Sequence, residues 1–135
     1  MKLLNIGIVI LLFVQCQSIK NNSDVNDIQE IAKGYFGEGV VVEFNDNKSF
    51  ALFSLTNKKD NKMPVNALSF GIYNVDKQEL VYKEQKNDAK VKWVDNENLE
   101  VRARPGVSSV DQSVNDRMKH YYINVRTLQT TTKPN

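Results

Sequence analysis

The sequence predicts a mainly β protein, an antiparallel meander of about seven short strands forming a two-layer sandwich or an irregular barrel, with one short N-terminal helix. Three observations carry this. From residue 40 onward, short runs rich in Val, Ile, Leu, Phe and Tyr alternate with clusters of Asn, Asp and Lys, the punctuation of hairpins. One earlier stretch spaces its apolar residues at the helical period. Some runs carry apolar residues on both alternating faces, which one open sheet would leave uncovered. Apolar residues at 41% and charged residues at 25% suit one ordered domain in 135 residues and exclude wholesale disorder.

In chain order, the first element reads as an export signal, residues 1–15. Lys2 supplies a short positive start, and residues 3–14 are apolar except for Asn5. As a helix that run covers about 18 Å, well short of the roughly 30 Å hydrocarbon core a spanning helix must cross. Cys16, the only cysteine, follows directly, so no intrachain disulfide is possible and the domain is held by its core alone. Residues 16–23 are polar and read as a tether, and residues 24–135 as a single β-rich domain.

The segment Phe13-Val14-Gln15-Cys16 resembles the lipobox of bacterial lipoproteins, in which the Cys becomes the acylated first residue of the mature chain. It departs from that pattern at Phe13, where Leu is usual, and at Gln15, where a small residue is usual. The chain as a whole is similar to small bacterial lipoproteins with a short tether and a β-rich domain. That resemblance implies lipidation of Cys16, a membrane anchor and a place in the cell envelope, facing the periplasm or the cell surface. It transfers no other functional residue. Two alternatives stay open: ordinary signal-peptidase cleavage after Cys16, with Val14 and Cys16 as the small positions, and an uncleaved anchor.

The helix is expected over residues 24–33. Val25, Ile28, Ile31, Ala32, Tyr35 and Phe36 share a face, Ser23 or Asp24 can cap the start, and Gly34 or Gly37 can end it. Strands are expected over residues 40–44, 49–55, 67–74, 79–84, 89–94, 99–104 and 119–127. The longer connections, residues 56–66 and 105–117, are the candidate functional loops.

Side-chain alternation extends this to register. A four-residue turn at residues 85–88 sets Tyr82 opposite Val91 and Leu80 opposite Trp93. An odd-numbered loop then sets Trp93 opposite Leu99 and Val91 opposite Val101. The preceding hairpin sets Tyr73 beside Leu80 and Tyr82 over Gly71, whose missing side chain makes room for the ring. Residues 67–101 also look like a single β-propeller blade, with Ile72-Tyr73-Asn74, Leu80-Val81-Tyr82 and Val91-Lys92-Trp93. One blade cannot close a propeller and no second copy is present, so the likeness reduces to local hairpin pattern.

The same register sets Lys83, Lys90 and Arg102 side by side on three neighbouring strands, extended by Lys92 and Arg104. Like charges placed directly opposite one another are unfavourable, so the row points to an anionic partner, unless Glu84 and Glu100 neutralise it. His120, the only histidine, has Asp111, Asp116, Arg117, Tyr121 and Tyr122 nearby in sequence. No Ser or Cys motif accompanies it, and alternation along its strand makes it an exposed or edge residue rather than a general base. One His and no domain Cys argue against zinc. Asn45-Asp46-Asn47 and Asp95-Asn96-Glu97-Asn98 lack EF-hand spacing and read as turns. Asp24 with Asp27 and Asp76 with Glu79 are not placed across a cleft, as a glycosidase pair would be. No cofactor is called for.

A net charge of +2 gives no case for nucleic acid. The expected function is a non-enzymatic binding or structural module of the envelope, its partner another envelope protein or an anionic glycan. The alternatives are an inhibitor or immunity protein that blocks an incoming toxin or hydrolase, and an enzyme using His120.

Overall fold

The computed structural model describes residues 23–58, 65–104 and 119–133. Cys16, the export signal, most of the tether, the Asp111–Asp116–Arg117 group and the bulk of both long connections lie outside these residues. Helix α1 (Ser23–Phe36) precedes eight antiparallel strands: β1 (Val41–Phe44), β2 (Phe50–Asn57), β3 (Ala67–Asn74), β4 (Glu79–Asn87), β5 (Lys90–Trp93), β6 (Asn98–Arg102), β7 (His120–Asn124) and β8 (Thr130–Thr131). They form two four-stranded meanders, β1-β2-β3-β4 and β5-β6-β7-β8. The fold is thus a mainly β sandwich with one helix, and no barrel closes.

Two apolar clusters explain the layering. Phe50, Leu52, Leu68, Phe70 and Ile72 of the first sheet meet Leu99, Val101 and Ile123 of the second, with Val125 just beyond β7. On the other face of the first sheet, Ala51, Phe53 and Tyr73 pack with Val40 against Ile28 and Ala32 of α1. The first sheet is therefore covered on both sides. That accounts for the unbroken burial of residues 50–53 and 70–73, where a half-exposed strand would alternate.

The helix runs three residues further than expected. Gly34 lies within it, and Gly37 ends it at φ +94°, donating its N–H to the Lys33 carbonyl at 2.7 Å. Ile28, Ala32 and Phe36, spaced by four, form the narrow stripe that meets the sheet, and Phe36 reaches Phe53 edge-on at 6.3 Å. Val25, Ile31 and Tyr35, expected on the same face, flank that stripe and stay exposed.

Register is as expected at Trp93↔Leu99, Val91↔Val101 and Tyr73↔Leu80. It differs at two places. A bulge between Ile72 and Tyr73 leaves Val81 unpaired, so Tyr82 sits opposite Ile72, and Gly71 faces Lys83. The space at Gly71 serves other groups: a Cβ there would stand 2.8 Å from the Tyr82 carbonyl oxygen, 2.9 Å from Leu80 Cδ1 and 3.0 Å from Phe36 Cζ. Second, β4 does not pair with β5. It continues to Asn87, and Asp88, at φ +44°, turns the chain into the other sheet, so Tyr82 and Val91 belong to different sheets. The blade-like segment is divided between the two layers.

The sheets are also fastened by polar contacts. Trp93 Nε1 donates to the Glu43 carbonyl at 3.1 Å, and buried Asn45 donates from Nδ2 to the Asn96 carbonyl at 2.8 Å. The Tyr121 hydroxyl donates to Glu84 Oε2 at 2.9 Å, sharing that oxygen with Tyr82 at 2.7 Å, while Lys86 holds Oε1 at 2.7 Å. Burial pushes the Glu84 carboxyl upward. The hydrogen bonds from Lys86, Tyr82 and Tyr121 outweigh it and hold the group below its ordinary range.

Candidate functional site: a cationic pocket on the second sheet

On β5, β6 and β7, Val91, Val101 and Tyr121 point to the core, so Lys90, Arg102 and His120 point outward. Register aligns these three across neighbouring strands, Lys90↔Arg102 and Arg102↔His120. Asp88 on the β4–β5 corner, Ala103 and Arg104 after β6, and Lys119 before β7 complete an open pocket of about 520 Å³. Among the described residues its lining carries two lysines, two arginines, one histidine and one aspartate.

The corner at Asp88 is fixed from both sides. Its backbone N–H donates to the Asn66 carbonyl at 2.8 Å, and its Oδ1 accepts the Asn66 N–H at 3.2 Å. Its Oδ2 lies 3.9 Å from Arg104 Nη1, a long and exposed pair of little energetic weight. The Ala103 N–H donates to the Lys119 carbonyl at 2.8 Å and joins the stems of the connection between β6 and β7. Lys90 has no ion-pair partner among the described residues.

Beside the pocket, Glu100 occupies the centre of the outward face yet is buried, its side chain only 6% exposed. It accepts from Arg102 Nη2 at 2.9 Å and His120 Nε2 at 2.7 Å through Oε1, and pairs with Lys92 Nζ at 3.2 Å through Oε2. These partners, Arg102 foremost, overcome the cost of burial and pull the carboxyl down to about 2. At neutral pH Glu100 is thus an anion that only accepts, so His120 must donate from Nε2. Tyr122 leans on the imidazole with ring centroids 5.1 Å apart.

Of the five cations expected to form one row, Lys90, Arg102 and Arg104 come together in the pocket. Lys92 shares the outward face but is tied to Glu100. Lys83 does not belong to the group: it lies on the first sheet toward the helix, its Nζ donating to the Tyr35 carbonyl at 3.2 Å and sitting 4.8 Å over the Phe36 ring. The cause is the turn at Asp88, which separates β4 from β5. Sequence alone does not bring Lys119 and His120 to the cationic group, because their place beside Arg102 depends on the register across a long connection.

Asn45 Oδ1 accepts the Phe50 N–H, and Asp95 Oδ1 accepts the N–H groups of Glu97 and Asn98, so both Asn/Asp clusters close turns. Asp76 and Glu79 are exposed at the β3–β4 turn. Among the described residues no group of three or more His, Cys, Asp or Glu side chains could hold a metal ion, and no helix is long and apolar enough to cross a membrane. No protein-family model matches the chain, and no curated protein or solved structure matches it either.

Proposed function

We propose that this chain is a non-enzymatic binding module of the cell envelope, anchored through a lipidated Cys16, whose pocket receives the anionic groups of an acidic glycan. The observation that supports the reading is the convergence of Lys90, Arg102, Arg104 and His120 on one open concavity, with Asp88 as the one lining carboxylate among the described residues. Arg102 meets Glu100 and Arg104 faces Asp88 with part of their donors only, and Lys90 has no ion-pair partner among the described residues, so donors remain for an incoming sulfate or carboxylate. Arginine offers a planar fork of donors matched to such groups, so Arg102 and Arg104 are the expected principal contacts.

Isothermal titration of the full chain with a sulfated disaccharide at low and physiological salt tests the pocket. Expected are saturable binding that weakens with salt and a loss of about tenfold or more in Arg102→Ser/Arg104→Ser. Absence of binding, or binding indifferent to both substitutions, overturns the reading. Palmitate labelling in cells tests the anchor: the wild-type chain should take up label and Cys16→Ala should not.

A further inference from the structure

We infer that the open edge of β4 is a self-association surface, through which two copies of this chain join antiparallel about a twofold axis at Gln85. This is independent of the pocket reading above. β4 closes one side of the first sheet, in the order β1-β2-β3-β4, and at nine residues it is the longest strand among the described residues. A strand in that position presents a row of unpaired backbone groups, a template for one more strand.

The row can be assigned residue by residue. The Val75 N–H donates to the Ser49 carbonyl at 3.0 Å, and the Asp88 N–H donates to the Asn66 carbonyl at 2.8 Å. Hydrogen-bonded pairs alternate in an antiparallel ladder, so both contacts set the same parity: Leu68, Phe70 and Ile72 exchange bonds with Lys86, Glu84 and Tyr82. The backbone N–H and C=O groups of Lys83, Gln85 and Asn87 therefore point to the open edge. None of them has a hydrogen-bond partner among the described residues, and all three residues are exposed.

Charge selects the occupant. With the axis at Gln85, Gln85 of one copy exchanges hydrogen bonds with Gln85 of the other, and Lys83 does so with Asn87. Between them Glu84 stands opposite Lys86, and Lys86 opposite Glu84, at the non-bonded positions where cross-strand side chains come closest. Within one copy Glu84 and Lys86 pair at 2.7 Å, yet their side chains stay 22% and 36% exposed, so the two pairs can join in a ring of alternating charge. Moving the axis to Lys83, Glu84 or Lys86 sets that charge against itself. A twofold axis perpendicular to the sheet preserves its faces, so the two first sheets run into one. The edge of the second sheet differs: the four residues of β5 carry Lys90 and Lys92 and no acid, a pattern that resists pairing with a copy.

Two readouts test this. Sedimentation equilibrium of the full chain should show a reversible dimer of twice the 15.4 kDa of one copy. Gln85→Lys, an exposed change that sets like charges on the axis, should weaken association about fivefold or more. Register is read by cross-linking in the Cys16→Ala background, which leaves no other thiol. Gln85→Cys should form an intermolecular disulfide on mild oxidation, because a hydrogen-bonded pair sets its Cα atoms about 5.5 Å apart. Asn87→Cys, opposite Lys83 in this register, should not. A chain that stays monomeric up to about 1 mM, a dimer indifferent to Gln85→Lys, or cross-linking as ready through Asn87→Cys as through Gln85→Cys overturns the proposal.

Discussion

Glu100 gives the clearest link between one side chain and stability. Its folded carboxyl is held at about 2, first by Arg102 and then by His120 and Lys92, against an ordinary 4.5. A depressed acid stabilises the fold above its unfolded value and loses that contribution as pH falls toward the folded value. Because Arg102 and Lys92 are well exposed, screening reduces the contribution to the order of 1–2 kcal/mol. Urea denaturation of the wild-type chain should therefore weaken between about pH 4.5 and about pH 2. Glu100→Gln should be less stable at neutral pH and show a shallower acid decline; an unchanged acid profile in that variant would remove Glu100 from the account. The pairing of Lys90 with Arg102 was legible in the sequence, because alternation fixes parity once Trp93 faces Leu99. The role of Glu100 was legible only as a neutralising charge. That three partners bury it depends on His120, which reaches it from a strand beyond a long connection.

Among the elements, α1 was readable from its apolar spacing, but its end was not, because Gly34 and Gly37 are equally plausible stops on composition. The positive φ at Gly37 decides the matter, and it leaves Gly34 as a glycine inside a helix with open space where a Cβ would be. Gly34→Ala should raise stability by about 0.5–1 kcal/mol, read as an increase in the urea midpoint with an unchanged slope. Strand β8 is not legible in the sequence, because two threonines in a polar segment carry no alternation and the preceding turn places Leu128 at φ +59°, a conformation composition does not announce. The turn between β1 and β2 was legible as a turn but not as a clamp. Asn45 reaches across to the Asn96 carbonyl while accepting the Phe50 N–H. Asn45→Ala strands the buried Phe50 N–H and the half-buried Asn96 carbonyl and should cost about 1–3 kcal/mol in denaturant titration.

For the molecule as a whole, two-sided apolar patterning foretold a covered sheet, and the sandwich satisfies it, with the helix forming a third layer over the outer face of the first sheet, chiefly β1 and β2. What sequence could not supply was the point where the meander changes sheets. Hairpins and crossovers between sheets both use short polar segments, and here Asp88 and its two contacts with Asn66 make the difference. That same crossover removes Lys83 from the cationic group and brings Asp88 to the rim of the pocket, so fold and site turn on one corner. Export and lipidation are expectations from Lys2 through Cys16 that belong to processing and are tested by labelling.

The central claim is that the outward end of β5, β6 and β7 is where an anionic partner binds, and amide chemical-shift mapping of the full chain with the sulfated disaccharide tests it most directly. The account predicts saturable shifts centred on Lys90, Arg102, Ala103, Arg104, Lys119 and His120, with α1 and β1 unaffected. Shifts centred on the helix face around Ile31, Tyr35 and Lys83, or none that saturate, would contradict it.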